Sequence, residues 1–183
     1  MRIVAGELGG RRLRAPRGGE VRPTTDRVRE ALFSILGDVT GLEVLDLFAG
    51  TGALGIEALS RGAGRVVLLD SDTGPAEANV EALGLAGRVE LVRADALAFL
   101  RRGSHGPGGF DLVLVDPPYR LARPLGSELT KLLPHVLRPG GRVVTESSVD
   151  APLGLDPEAL TMLDERRYGS TLIRIHGAAE VSP

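Results

Sequence analysis

The chain has 183 residues and a net charge of −2, with 43% hydrophobic but only 3% aromatic side chains. That length suits one domain with a small appendage, and Leu, Val, Ile and Ala must build its core. There is no cysteine, which excludes disulfides, thiolate metal sites and a cysteine nucleophile. The three histidines (His105, His135 and His176) show no ligand spacing, so no metal is expected. No stretch approaches the roughly 18 apolar residues of a membrane span. Met1–Glu7 lacks the apolar core of a secretory signal, so a cytoplasmic protein without membrane contact is expected.

The small net charge hides an asymmetry. Residues 1–35 carry eight Arg (Arg2, Arg11, Arg12, Arg14, Arg17, Arg22, Arg27 and Arg29) against Glu7, Glu20, Asp26 and Glu30, a local surplus of +4. Arg pairs with phosphate in a bidentate fork and stacks on bases, so this surplus suits a polyanion. A solvated basic arm accounts for the charge equally well.

Two strand-like stretches, Arg2–Ala5 and Arg11–Ala15, flank Gly6, Gly9 and Gly10 and predict a hairpin. After the Pro/Gly-rich link Pro16–Pro23 comes a helix capped by Thr24 or Thr25. Val28, Leu32, Ile35 and Leu36 form its apolar face, and Gly37 and Gly41 close it. From Glu43 the texture alternates. Strands are expected at Val44–Phe48, Val66–Leu69, Val89–Val92, Phe110–Val115 and Arg142–Glu146. Helices are expected at Ala53–Arg61, Pro75–Leu83, Ala96–Arg102 and Gly126–Leu137. Short apolar strands separated by helices imply βαβ units and a parallel sheet covered on both faces. The tail, Leu160–Tyr168 and Ser170–His176 around Gly169, reads as an antiparallel hairpin. The chain thus divides into a hairpin-and-helix extension, 1–40, and an α/β domain, 41–183.

Asp46–Gly55 joins the first predicted strand of that domain to its first helix, and Gly50, Gly52 and Gly55 spell GxGxxG. Such a turn lets a ligand approach the backbone, beside the bare N–H groups of a helix start. Asp70, 20 residues after Gly50, ends the next strand where it can hold ribose hydroxyls. These features fit NAD as well as S-adenosylmethionine. Two more acids favour the latter. Asp46, inside the first strand, needs a partner such as an ammonium or an ordered water. Asp95, just after the third strand, can accept from an adenine amine, or can simply cap the helix from Ala96. Ala49, Thr51, Ser71 and Ala96 complete the expected cofactor contacts.

The fourth strand runs into Asp116-Pro117-Pro118-Tyr119. Ligands of open α/β sheets bind at the carboxyl ends of strands. Two prolines fix two φ angles and remove two donors, leaving a stiff rim with carbonyl acceptors. An exocyclic amine is a weak nucleophile because its lone pair is delocalised. Asp116 and the Pro117 carbonyl can bind its two hydrogens, while Tyr119 offers a face on which the base stacks. The joint pattern points to methylation of such an amine.

These residues resemble the bacterial small-subunit ribosomal RNA guanine-N2 methyltransferases, the RsmD-like group. The resemblance rests on Arg2–Gly6, Gly10–Leu13, Arg22–Phe33, Asp46–Gly55, Glu57–Ala63, Asp116–Tyr119 and Tyr168–Thr171, and Arg22–Phe33 is its most specific block. It implies a seven-stranded, Rossmann-like class I methyltransferase sheet with helices on both faces, preceded by the hairpin and helix. It also implies S-adenosylmethionine as cofactor and one guanine N2 of 16S ribosomal RNA as target, within an assembling small subunit. Thr25 would touch the cofactor, and Arg2, Arg11, Arg12, Arg14, Arg22 and Arg27 the RNA. A monomer is expected. Two departures stand out: Asp70 replaces the usual glutamate, and Arg120–Leu125 is a variable segment with two Arg. The competing readings are an adenine-N6 or glutamine-amide methyltransferase with the same centre, an NAD-dependent dehydrogenase, and a non-catalytic RNA-binding assembly factor.

Overall fold

The computed structural model describes residues 1–14, 25–103 and 109–178, with Tyr119 by its backbone alone. It comprises two compact units, Met1–Ala94 and Asp95–Pro183.

The first unit begins with an arm rather than two regular strands. One antiparallel bridge, Arg2 to Arg12, is all the ladder that forms among the described residues. Bonds from Ile3 N–H to the Arg11 carbonyl (2.9 Å) and from Gly10 N–H to the Ile3 carbonyl (2.8 Å) flank it. Gly6 and Gly10, at φ 80° and 83°, fold residues 5–10 into a broad turn that leaves few registers for pairing. Ile3, Leu8 and Leu13 are nevertheless buried, so packing helps to hold the arm where a ladder is missing.

Helix α1 runs over Asp26–Leu36, with the Thr25 hydroxyl accepting from Val28 N–H and Gly37 ending it at φ 74°. Its buried face is Val28, Arg29, Leu32, Phe33 and Leu36, whereas Ile35 is only half-buried. Strands β1 (Glu43–Leu47), β2 (Arg65–Asp70) and β3 (Val89–Arg93) are parallel in the order β3-β2-β1, with Leu45 opposite Val67 and Leu68 opposite Leu91. Helix α2 (Ala53–Ser60) is buried on every side and α3 (Gly74–Leu83) on one, as crossovers between parallel strands require.

The second unit holds helix α4 (Ala96–Arg102), β4 (Phe110–Val115), helix α5 (Tyr119–Leu132), a 3-10 turn (Leu133–Val136), β5 (Leu137–Ser148), β6 (Leu160–Tyr168) and β7 (Thr171–Ala178). β4 and β5 are parallel; β5, β7 and β6 follow antiparallel, with β6 and β7 joined through Gly169 at φ 61°. Three strands in one unit and four in the other make seven, the number the resemblance implies.

One helix departs from expectation. α5 starts seven residues earlier than Gly126 and stops at Leu132. Pro118 supplies an extended cap (ψ 132°), and α5 continues through Pro124 in its second turn, which leaves the Arg120 carbonyl without the N–H that another residue would offer. Pro134 then converts the end into the 3-10 turn. β5 likewise begins at Leu137 rather than Arg142, because Gly140 at φ 76° lets the irregular segment stay paired to β4.

Candidate active site

The glycine turn lies at the carboxyl end of β1. Phe48 leaves the strand at φ 77°, unusual for a residue with a side chain, and its N–H and that of Ala49 both reach the Leu69 carbonyl (3.0 and 2.9 Å). Gly50 (φ 53°) and Gly52 (φ 77°) then carry the left-handed backbone the turn requires. An added Cβ at Gly50 would meet nothing within 4 Å, so bare backbone faces open space there. At Gly55 it would fall 2.3 Å from Leu68 Cδ2 and 3.0 Å from Val66 Cγ1, so only glycine lets α2 lie this close to β2. Thr51 stands half-buried between the two turn glycines.

Two acids brace this turn from within. Asp46, 2% exposed, accepts from Gly55 N–H at 2.8 Å, so part of its expected requirement for a partner is met by the first turn of α2. Asp70 accepts from Gly50 N–H (2.9 Å), from Asp72 N–H (3.0 Å) and from the Ser71 hydroxyl (3.2 Å). Three donors on one carboxylate fix both the turn and the chain leaving β2. In the second unit Asp95 caps α4, accepting from Ala98 N–H at 2.8 Å, and Ala96 is buried behind it.

The Asp116–Tyr119 segment joins β4 to α5 directly. Asp116 is half-buried, Pro117 buried and Pro118 exposed. The Pro118 carbonyl accepts from Leu121 N–H at 2.7 Å, so the second proline is locked as the helix cap. Tyr119 is the first residue of α5 rather than part of a loop.

The arginines of the first unit divide by environment. Arg12 and Arg27 are exposed, and so is Arg14, whose backbone rather than guanidinium is engaged. Arg11 is exposed too, but donates to the Leu83 carbonyl (3.0 Å) and the Ala82 carbonyl (3.4 Å) at the end of α3, where a cation is favoured. Arg2 pairs with Asp26 at 3.4 Å. Arg29, fully buried, joins Asp26 (2.6 Å) and the Arg2 carbonyl. Burial works against the Asp26 carboxylate, but the Arg2 amide and the Arg29 charge together outweigh it and hold its carboxyl below the ordinary value of 3.8. Arg22 and Thr24 lie outside the described residues. Among the described residues no cluster of His, Asp or Glu has the makings of a metal site, and no helix is long and apolar enough to cross a membrane.

Residues 1–177 match the family model Cons_hypoth95, "Conserved hypothetical protein 95". The chain belongs to this family. Within it, Ribosomal RNA small subunit methyltransferase D of Escherichia coli K12 is 36% identical over 182 residues, covering 96% of this chain and 89% of the relative. The protein of the same name from Haemophilus influenzae is 35% identical, with 96% and 93% covered. The solved structure of Escherichia coli yhhF superposes with a TM-score of 0.80 at 34% identity, spanning 97% of each chain. An RNA methyltransferase from Salinibacter ruber, solved with S-adenosylhomocysteine, shares the fold (TM-score 0.64, 20% identity, covering 88% of this chain and 97% of that one). The expected class I methyltransferase fold and the resemblance to the RsmD-like group are thereby borne out.

The geometry also gives the family blocks Arg2–Gly6 and Glu57–Ala63 a physical account that the sequence did not reveal. Glu57, fully buried on α2, accepts from Val4 N–H (2.7 Å), Ala5 N–H (3.0 Å) and Arg61 Nε (2.8 Å). Ser60 accepts from Leu8 N–H (3.0 Å) and donates to the Ala5 carbonyl. A Cβ at Gly6 would sit 1.8 Å from the Ser60 carbonyl oxygen, so no other residue passes there. These bonds fasten the arm to the helix that begins at the glycine turn. A glutamate in an apolar helix was the available clue; the positive φ of Phe48 gave none.

Proposed function

We propose that this chain transfers a methyl group from S-adenosylmethionine to the exocyclic N2 amine of a guanine in 16S ribosomal RNA, acting as a cytoplasmic monomer on an assembling small subunit. One observation carries the reading. A bare glycine turn braced by Asp46 and Asp70 ends β1, and a proline-locked Asp116–Tyr119 rim ends β4, in a chain related over nearly its whole length to small-subunit ribosomal RNA methyltransferases.

The fit to the cofactor rests on the turn itself, with open backbone at Gly50 and the N-terminus of α2 behind it. Thr25, Asp46, Ala49, Gly50, Thr51, Gly52, Asp70, Ser71, Asp95, Ala96 and Asp116 are the residues assigned to hold it. Bound there, it supplies an already activated methyl. The protein's task is then position: the Asp116 carboxylate and the Pro117 carbonyl accept the two amine hydrogens and aim the nitrogen lone pair. The carboxylate also stabilises the positive charge that grows on that nitrogen, a charge discharged when the nitrogen gives up one proton to Asp116 or to water. Tyr119 fixes the plane of the base. Arg2, Arg12, Arg14, Arg22 and Arg27 hold phosphates, whereas Arg11 contributes chiefly by tying the arm to α3.

Calorimetry with S-adenosylhomocysteine and NAD, followed by labelled methyl transfer to small subunits and to naked 16S RNA, tests the reading. Binding of the first ligand alone, with label entering the RNA, is expected. Binding of NAD, or label entering only protein, would overturn it.

A further inference from the structure

Asn79 lies on α3, has been assigned no role above, and is 1% exposed. Its side-chain amide nevertheless touches two functional segments at once. The oxygen accepts from Arg14 N–H at 2.7 Å. The nitrogen donates to the Arg14 carbonyl at 3.2 Å and to the Thr51 carbonyl at 2.9 Å. The first two bonds engage both polar groups of one backbone residue, as a neighbouring strand would. The third reaches the middle of the glycine turn. Both amide hydrogens and one oxygen lone pair are thus committed, in a single orientation of the amide plane.

We propose that Asn79 is a positioning residue that couples the glycine turn to the basic arm, so that occupying the turn orders the arm. The inference rests on the cofactor reading of that turn. Thr51 stands between the two left-handed glycines, and its carbonyl is held from the side by this one amide. A ligand that fixes the turn fixes the Thr51 carbonyl, hence the amide, hence the backbone of Arg14. Arg14 is paired through its neighbour: Leu13 N–H donates to the Met1 carbonyl at 3.1 Å, and the Arg2–Arg12 bridge lies one residue further on. A segment already ordered by one ligand costs less to order for the next, so the coupling is positive. It is also reciprocal: RNA held by the arm tightens the turn on its ligand. A purely structural fastening would hold the arm equally with the turn empty or filled.

Hydrogen exchange with and without saturating S-adenosylhomocysteine tests this, read at the amides of Ile3 and Leu13, whose arm bonds do not involve Asn79. In the wild-type protein the ligand should slow their exchange by about fivefold or more, the lower end of typical coupling. In Asn79→Ala the ligand should still bind, and the slowing should vanish. Asn79→Asp keeps the acceptor for Arg14 N–H but loses both donors, and should also lose the response. It serves as the deciding variant if the alanine protein folds poorly. Ligand binding in the wild type without any change in arm exchange would overturn the coupling, as would an unaltered response in Asn79→Asp. Absence of ligand binding in the wild type would instead refute the cofactor reading.

Discussion

Glu57→Gln is the substitution that most sharply tests how the arm is held. The buried carboxylate serves three donors through two oxygens: Val4 N–H on one, Ala5 N–H and Arg61 Nε on the other. Glutamine is nearly isosteric but has one oxygen and one NH2. If its oxygen faces Ala5 and Arg61, the NH2 confronts Val4 N–H across the present 2.7 Å separation, and one charge-assisted bond is lost. The opposite orientation loses two. A bond to a charged group contributes about 1.5–3 kcal/mol, so the milder orientation sets the expected destabilisation. For a chain of this size that corresponds to a fall in Tm of roughly 3–12 °C. Thermal unfolding by circular dichroism gives the global number, and exchange at Val4 and Ala5 shows whether the arm loosens first. A Tm within about 1 °C of wild type, with those amides still protected, would refute the claim that Glu57 anchors the arm.

Asp116→Ala should lower kcat for methyl transfer by about a hundredfold or more; near-normal turnover would remove the carboxylate from the reaction. Arg12→Ala should weaken RNA binding and reduce its salt slope by about one unit. Arg11→Ala should instead lower stability, because its guanidinium closes the end of α3; equal salt slopes for the two variants would contradict that division. Gly55→Ala places a methyl 2.3 Å from Leu68 Cδ2, and overpacking of this kind costs about 1–3 kcal/mol, readable in urea unfolding. His176, 3% exposed, is pushed below its ordinary 6.5 chiefly by burial, with the Arg174 charge adding to the effect and the Leu160 carbonyl opposing it. Its neutral form belongs to the folded state, so stability should be full above pH 6.5 and decline as pH falls through that value toward the lowered one. His176→Phe should flatten that segment of the stability–pH curve, and an unchanged slope would assign it to other groups.

The βαβ elements were legible because short apolar strands bounded by glycine leave few alternatives, and β4, α4 and the cap of α1 appeared where the pattern put them. The errors arose where proline carries two meanings. Pro124 reads as a break in sequence, yet α5 runs through it, starting from the cap that Pro118 provides. The arm reads as two strands because glycines separate its two strand-like stretches, but those glycines form a broad turn, and side-chain anchors on α2 replace the ladder. The acids of the glycine turn were visible as residue types, whereas their partners were not. Asp46 and Asp70 each bind backbone N–H groups of the turn, a use that spacing alone does not distinguish from contact with a ligand. Asn79 was illegible for a related reason. An asparagine among helix formers carries no periodic signal, and its importance comes only from the two backbones that meet at it.

Nucleoside mass analysis is the most direct measurement of the central claim. Small subunits lacking the modification are incubated with the protein and methyl-labelled S-adenosylmethionine, and their 16S RNA is digested to oligonucleotides for mass mapping and then to nucleosides. N2-methylguanosine at a single position, absent with Asp116→Ala, is the predicted result. Label in N6-methyladenosine, or label at guanine N2 that persists in the variant, would contradict it.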